Sequence, residues 1–116
     1  MADSAPGLRA GKLPQQLLER LLSTIDRSDQ RVRLWPGIGE DAAVIDFGDT
    51  CLVAKTDPIT FATDRIGWYA VHVNANDIAA MGAEPHFFLA TIILPEETAS
   101  PDLVESIFRS IHAAAD

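Results

Sequence analysis

Four carboxylates stand out by position. Glu40 and Asp41 follow Gly37-Ile38-Gly39, Asp57 closes the run Cys51–Asp57, and Asp77 lies inside the otherwise apolar stretch Ile66–Met81. Carboxylates are hard oxygen donors, and their natural ligand is Mg²⁺ or a similar cation. Two β-prone runs flank Gly48-Asp49, which reads as a hairpin with a two-residue loop. Counting outward from that loop sets Phe47 opposite Thr50, Val44 opposite Val53, Asp41 opposite Thr56 and Glu40 opposite Asp57. The open end of the hairpin then gathers three acids and a threonine. Facing acids on a sheet repel, and a cation relieves that repulsion. The competing reading is a solvated strand end with its charges splayed apart.

The elements that must position these groups follow from hydrophobic spacing. Ile66–Met81 is apolar on nearly every side, the pattern of an interior helix. Gly82 supplies a left-handed cap, and Pro85 prevents the helix from resuming. Asp77 has no Lys or Arg three or four residues away, so its counter-charge must come from another part of the fold or from a bound cation. Alternatively it caps a short second helix over 78–81, or faces solvent at a crevice. Pro14 opens an amphipathic helix carrying Leu17, Leu18, Leu21, Leu22 and Ile25, ended by Ser28-Asp29-Gln30. Residues 31–35 form a short extended segment that stops at Pro36. His86–Pro95 is a continuous apolar run, expected as a strand covered on both faces and reached by a right-handed crossover. Ser100-Pro101-Asp102 opens a last helix with Leu103, Val104, Ile107, Phe108 and Ile111 as its stripe. The order α-β-β-α-β-α predicts an α/β fold of α+β character, with a mixed sheet, helices on one face, and a need for at least one more strand.

With 116 residues the chain allows one modest domain: a flexible leader over 1–10, then one domain over 11–116 that is incomplete at its C-terminal end. A net charge of −8 argues against a nucleic-acid backbone as partner. Six of the nine basic residues precede Leu34, leaving the later part acidic. One cysteine excludes an intrachain disulfide or a multi-cysteine zinc site, and Cys51 itself reads as packing. The first residues lack the pattern of a secretory signal and no apolar run reaches membrane-spanning length, so a cytoplasmic protein with no membrane partner is expected.

The motifs GIGEDAAVI, KTDPITF and NANDIAAMGAEPHFFL, in that order and spacing, resemble the N-terminal domain of the aminoimidazole-ribonucleotide (AIR) synthetase superfamily. That superfamily includes HypE, thiamine-monophosphate kinase and selenophosphate synthetase, and the similarity is greatest to the HypE-like, AIR synthase-related branch. The resemblance covers about residues 11–116 and extends to Gly11-Lys12-Leu13-Pro14. It implies ATP and Mg²⁺ bound without a Walker-type loop, and a homodimer in which two sheets close into a barrel. It implies that Asp41, Asp57 and Asp77 hold Mg²⁺, that Gly39, Thr56 and Asn76 line the nucleotide, and that Glu40 stands where relatives often carry Asp. A small molecule or a protein tail is the implied substrate, with phosphoryl transfer activating an amide-like oxygen, as in hydrogenase maturation. The family's later glycine-rich segment and C-terminal domain, with any catalytic cysteine tail, would lie after Asp116, so this length is not expected to act alone.

Lys12 and Lys55 are the candidate phosphate contacts, although Lys55 also suits a solvent-facing strand position. His72 reads as an interior histidine, Trp68 and Tyr69 as core or interface, and Arg65 as surface. A second class of function also suits the sequence: an assembly module that pairs through exposed sheet edges, its nucleotide site vestigial or incomplete.

Overall fold

The computed structural model describes residues 7–60 and 64–116; most of the leader expected over residues 1–10 lies outside them. The hairpin forms as the sequence predicts. β2 (Ala43–Asp46) and β3 (Cys51–Ala54) pair antiparallel, with Val44 opposite Val53 and Asp46 opposite Cys51. Phe47 N donates to Thr50 O at 2.9 Å, and Gly48 takes the positive φ of +84° that the tight loop requires. Asp46 Oδ1 accepts from Gly48 N at 2.9 Å, an Asx contact that fixes the turn.

The extended segment before Pro36 becomes β1 (Val32–Leu34), which pairs antiparallel with β2 through an irregularity between Val32 and Leu34. Across that pair Arg33 Nε donates to Asp46 Oδ2 at 3.1 Å, and the contact holds the Asp46 carboxyl below the usual carboxylate range. Beside β1, the Arg31 guanidinium and backbone N–H bind Asp29 and lower its carboxyl to about 2.

α1 (Gln15–Leu22) starts one residue after Pro14 and ends before Ile25. The hydroxyls of Ser23 and Thr24 donate to the carbonyls of Arg20 and Leu21, satisfying the helix end in place of a further turn. α2 (Ile66–Ala80) and α3 (Pro101–Ala115) match their sequence signals closely. Gly82, at φ +80°, donates to Ala79 O at 2.9 Å beyond the end of α2, and Ser100 Oγ accepts from Leu103 N at 3.1 Å to cap α3. The two helices pack on each other and hold the core, with Val71 facing the α3 side and Ile107 buried. Gly67 makes the approach possible. A Cβ there would lie 2.8 Å from Ile107 O and 2.9 Å from Ile111 N.

Three expectations are corrected. His86–Leu94 forms no strand, so the described sheet is three-stranded and wholly antiparallel (order β1-β2-β3), not mixed. A strand needs a neighbour to receive its N–H and C=O groups, and among the described residues this run makes no backbone hydrogen bond. The helices pair with each other instead of covering one face of the sheet. Finally, α2 is not enclosed all round. Its packing is with α3, and Tyr69 on another side is 42 % exposed.

The result is an open molecule. The accessible surface is 9827 Å², against about 6,200 Å² for a closed monomer of this mass. The radius of gyration is 18.0 Å, against about 13 Å for a compact domain of this length. Phe87 (96 % exposed), Leu89 (97 %) and Ile93 (88 %) account for part of the difference.

Candidate functional site at the hairpin mouth

The open end of the β2–β3 hairpin meets the C-terminal half of α2, and a lysine joins them. The alternation Val53, Lys55, Asp57 continues the inward face of β3 past its last ladder pair. Asn74 and Asp77, three apart on α2, share one helix face. Lys55 Nζ is hydrogen-bonded to Asp77 Oδ2 and lies 3.5 Å from Asp57 Oδ2. Asn74 Nδ2 donates to Asp57 O at 3.3 Å and to Ala70 O at 2.7 Å, tying helix to strand end a second time.

The electrostatics explain why the cluster holds together. The Lys55 side chain is only 8 % exposed, while Asp77 and Asp57 are about a third and nearly half exposed. Burial opposes the lysine's charge, but the hydrogen bond to Asp77 and the charges of Asp57 and Asp77 outweigh it and raise its pKa above the ordinary value. Asp77 also sits in the last turn of α2, where the helix dipole disfavours a carboxylate, so a cation against it has an added role. The counter-charge missing from Asp77's own helix is therefore Lys55.

Beside the cluster an open cleft of about 510 Å³ is lined by Pro36, Gly37, Glu40, Asp41, Lys55 and Thr56, with Leu22 of α1 at one side. Gly39 precedes these acids at φ +82°, in a turn closed by Glu40 N donating to Gly37 O at 3.2 Å. Of the residues expected at the site, Glu40, Asp41 and Thr56 line the cleft, while Asp57 and Asp77 meet through Lys55. Gly39 lies one residue away from the cleft wall. Asn76 points to an exposed side of α2, and Lys12 is exposed in the segment before α1. Among the described residues no three acidic, histidine or cysteine side chains converge closely enough to hold a metal by themselves, so Asp41, Asp57 and Asp77 do not form one such group.

Two residues gain importance over the sequence reading. Lys55 is an enclosed ion-pair partner and not a solvent-facing strand lysine; the period-two alternation with Val53 and Asp57 was the available signal. Asn74, not Asn76, faces the cluster, and its spacing of three from Asp77 marks it. Asn74 Oδ1 is buried without a hydrogen-bond partner. Elsewhere on α2, His72 stacks on Trp68 with ring centroids 4.2 Å apart, and the Arg65 guanidinium lies 4.6 Å over the Trp68 ring. These groups belong to a surface arrangement and not to the cleft.

A three-stranded antiparallel sheet whose hairpin mouth meets a helix through acids and a lysine makes this a small α/β domain. Comparison with known proteins narrows this. Residues 39–116 match the family described as AIR synthase related protein, N-terminal domain, and the chain belongs to that family. It is 36% identical over 106 residues to a thiamine-monophosphate kinase of Rhodopirellula baltica, covering 77% of this chain and 33% of the relative. It is 34% identical over 111 residues to a putative hydrogenase expression/formation protein of Methanocaldococcus jannaschii, covering 88% and 32%. Identity to the carbamoyl dehydratase HypE of Bradyrhizobium diazoefficiens is 36% over 86 residues, covering 70% and 25%. The chain thus spans about a third of the length of the first of these relatives. No solved structure matches it. Among the described residues no helix is long and apolar enough to cross a membrane.

Proposed function

We propose that this chain supplies the ATP- and Mg²⁺-binding N-terminal part of an enzyme that phosphorylates, and so activates, an oxygen of its substrate. The observation that carries the reading is the meeting of Asp57 and Asp77, from elements twenty residues apart, beside the cleft of Glu40, Asp41 and Thr56. Kinases and a carbamoyl dehydratase among the relatives support the reaction class.

The donor set suits the ion. Mg²⁺ is commonly held by one or two carboxylates, with phosphates and water completing its shell, so the Asp57–Asp77 pair is enough without a third acid. Asn74 Oδ1, buried and unpartnered, is one further hard oxygen beside them. When bound, Mg²⁺-ATP supplies the phosphoryl group and neutralises charge as it is transferred. Asp57 and Asp77 would hold the ion, with Asp41 in the cleft beside them as a third proposed ligand. Thr56 and the backbone around Gly39 would line the nucleotide, and Lys55 would meet phosphate. Lys12 and Asn76, exposed and not among the residues that line the cleft, are further proposed nucleotide contacts. An amide-like oxygen is the proposed acceptor, carried by a small molecule or a protein tail.

A second reading, favoured by the exposed Phe87, Leu89 and Ile93, is a homodimerisation module whose sheet is completed by a second copy and whose nucleotide site is incomplete. Calorimetric titration of Mg²⁺-ATP into the wild type and Asp77→Asn separates the two. Binding that needs the divalent ion and is abolished by Asp77→Asn is expected. Equal weak heats from both proteins, or tight ATP binding in excess chelator, would overturn the enzymatic reading and leave the module.

A further inference from the structure

Lys55 stands where that reading needs the metal. Its ammonium lies between the Asp57 and Asp77 carboxylates, hydrogen-bonded to Asp77 Oδ2 and 3.5 Å from Asp57 Oδ2, with only 8 % of its side chain exposed. Mg²⁺ binds oxygen at about 2.1 Å, so an ion shared by these two carboxylates must take the space that Nζ fills. The two acids come from different elements, and without a cation between them they would repel and loosen the junction of hairpin and helix. Lysine carries its charge on a flexible four-carbon stem, and this stem is anchored one residue past the end of β3. The cleft that Lys55 already lines, walled by Glu40 and Asp41, gives the displaced ammonium an acidic and solvated place to go.

We propose that Lys55 is a resident counter-cation: it holds Asp57 and Asp77 together until a divalent ion displaces it, and its ammonium then turns into the adjoining cleft to meet phosphate. Lysine and metal are alternative occupants of one gap. The metal-free domain is thereby kept in the geometry that the metal requires, and divalent affinity is weakened by the cation that must leave. The inference rests on the proposed function, since it assumes that Asp57 and Asp77 bind the ion.

The test is calorimetric titration of Mg²⁺ alone, without nucleotide, into the full chain as wild type and as Lys55→Met, which keeps an unbranched apolar stem one atom shorter and removes the charge. Lys55→Met is expected to bind Mg²⁺ roughly tenfold more tightly, one decade being a small part of the interaction removed. Its melting temperature should fall below wild type in chelator and recover on adding Mg²⁺. In the wild type, the Lys55 Cε–Hε NMR signal should move as Mg²⁺ saturates; this measurement decides alone if Lys55→Met fails to fold. Equal Mg²⁺ affinities, or a Lys55 signal unmoved at saturation, would overturn the proposal. If Mg²⁺-ATP binding is still lost in Asp77→Asn while Lys55→Met matches wild type, only the role of Lys55 falls. If the wild type binds no Mg²⁺-ATP at all, the functional reading falls and takes this inference with it.

Discussion

The two halves of α2 use the same helical spacing for opposite purposes. Its first half, with Gly67 and Val71, is pressed against α3, where the absence of a side chain at Gly67 brings two backbones together. Its second half turns Asn74 and Asp77 toward the hairpin mouth, where partners are polar and an acceptor on Asn74 stays unmet. One half stabilises by exclusion and close contact. The other accepts a cost in unpaired polarity at Asn74.

That contrast can be broken from either side. Gly67→Val should have the largest effect, destabilising the fold by about 2–3 kcal/mol, because its new atoms would meet backbone at Ile107 and Ile111 that cannot step aside. Denaturant unfolding checks it, and Mg²⁺-ATP affinity of the folded fraction should stay near wild type. Asn74→Ala should cost less, about 1 kcal/mol, since it removes the bonds to Asp57 O and Ala70 O but also an unmet acceptor. Here the loss should be in nucleotide binding more than in unfolding. An Asn74→Ala protein that binds as wild type would remove Asn74 from the site and leave Asp77 as the contribution of α2.

The pH response should be the smallest effect and should differ by region. Lys55 has a raised folded pKa, so its contribution is complete below the ordinary lysine value of about 10.4 and is lost as pH rises through the raised value. Asp29 and Asp46 have lowered folded pKa values, so their contributions are complete above about 3.9 and are lost as pH falls, for Asp29 through about 2. Amide exchange followed across pH should therefore show the hairpin mouth loosening in base and the β1 side loosening in acid. Asp29 is the more exposed of these two carboxylates, so salt should blunt the acid effect most there.

Local chemistry in the sequence determined a good deal of this molecule. The hairpin and its register were legible because Gly48-Asp49 and the flanking β-prone residues close a loop of two, so each strand's partner is its neighbour in the chain. The caps at Ser100 and Gly82 were legible for the same reason: donor, acceptor and φ requirement lie within a few residues. The family was legible from three motifs in order, and residues 39–116 match it.

What tertiary structure alone decided is which distant groups meet. Nothing in the spacing of α2 says that Asp77 finds its counter-charge twenty-two residues earlier at Lys55, or that the face it shares with Asn74 is the one that meets the strand end. The apolar run from His86 shows the same limit from the other direction. Its composition is that of a strand, but a strand is a relation between two segments, and among the described residues no strand pairs with it. Propensity and capping are local free energies that a short stretch carries with it; ladder pairing and ion pairing depend on where the rest of the fold places a partner.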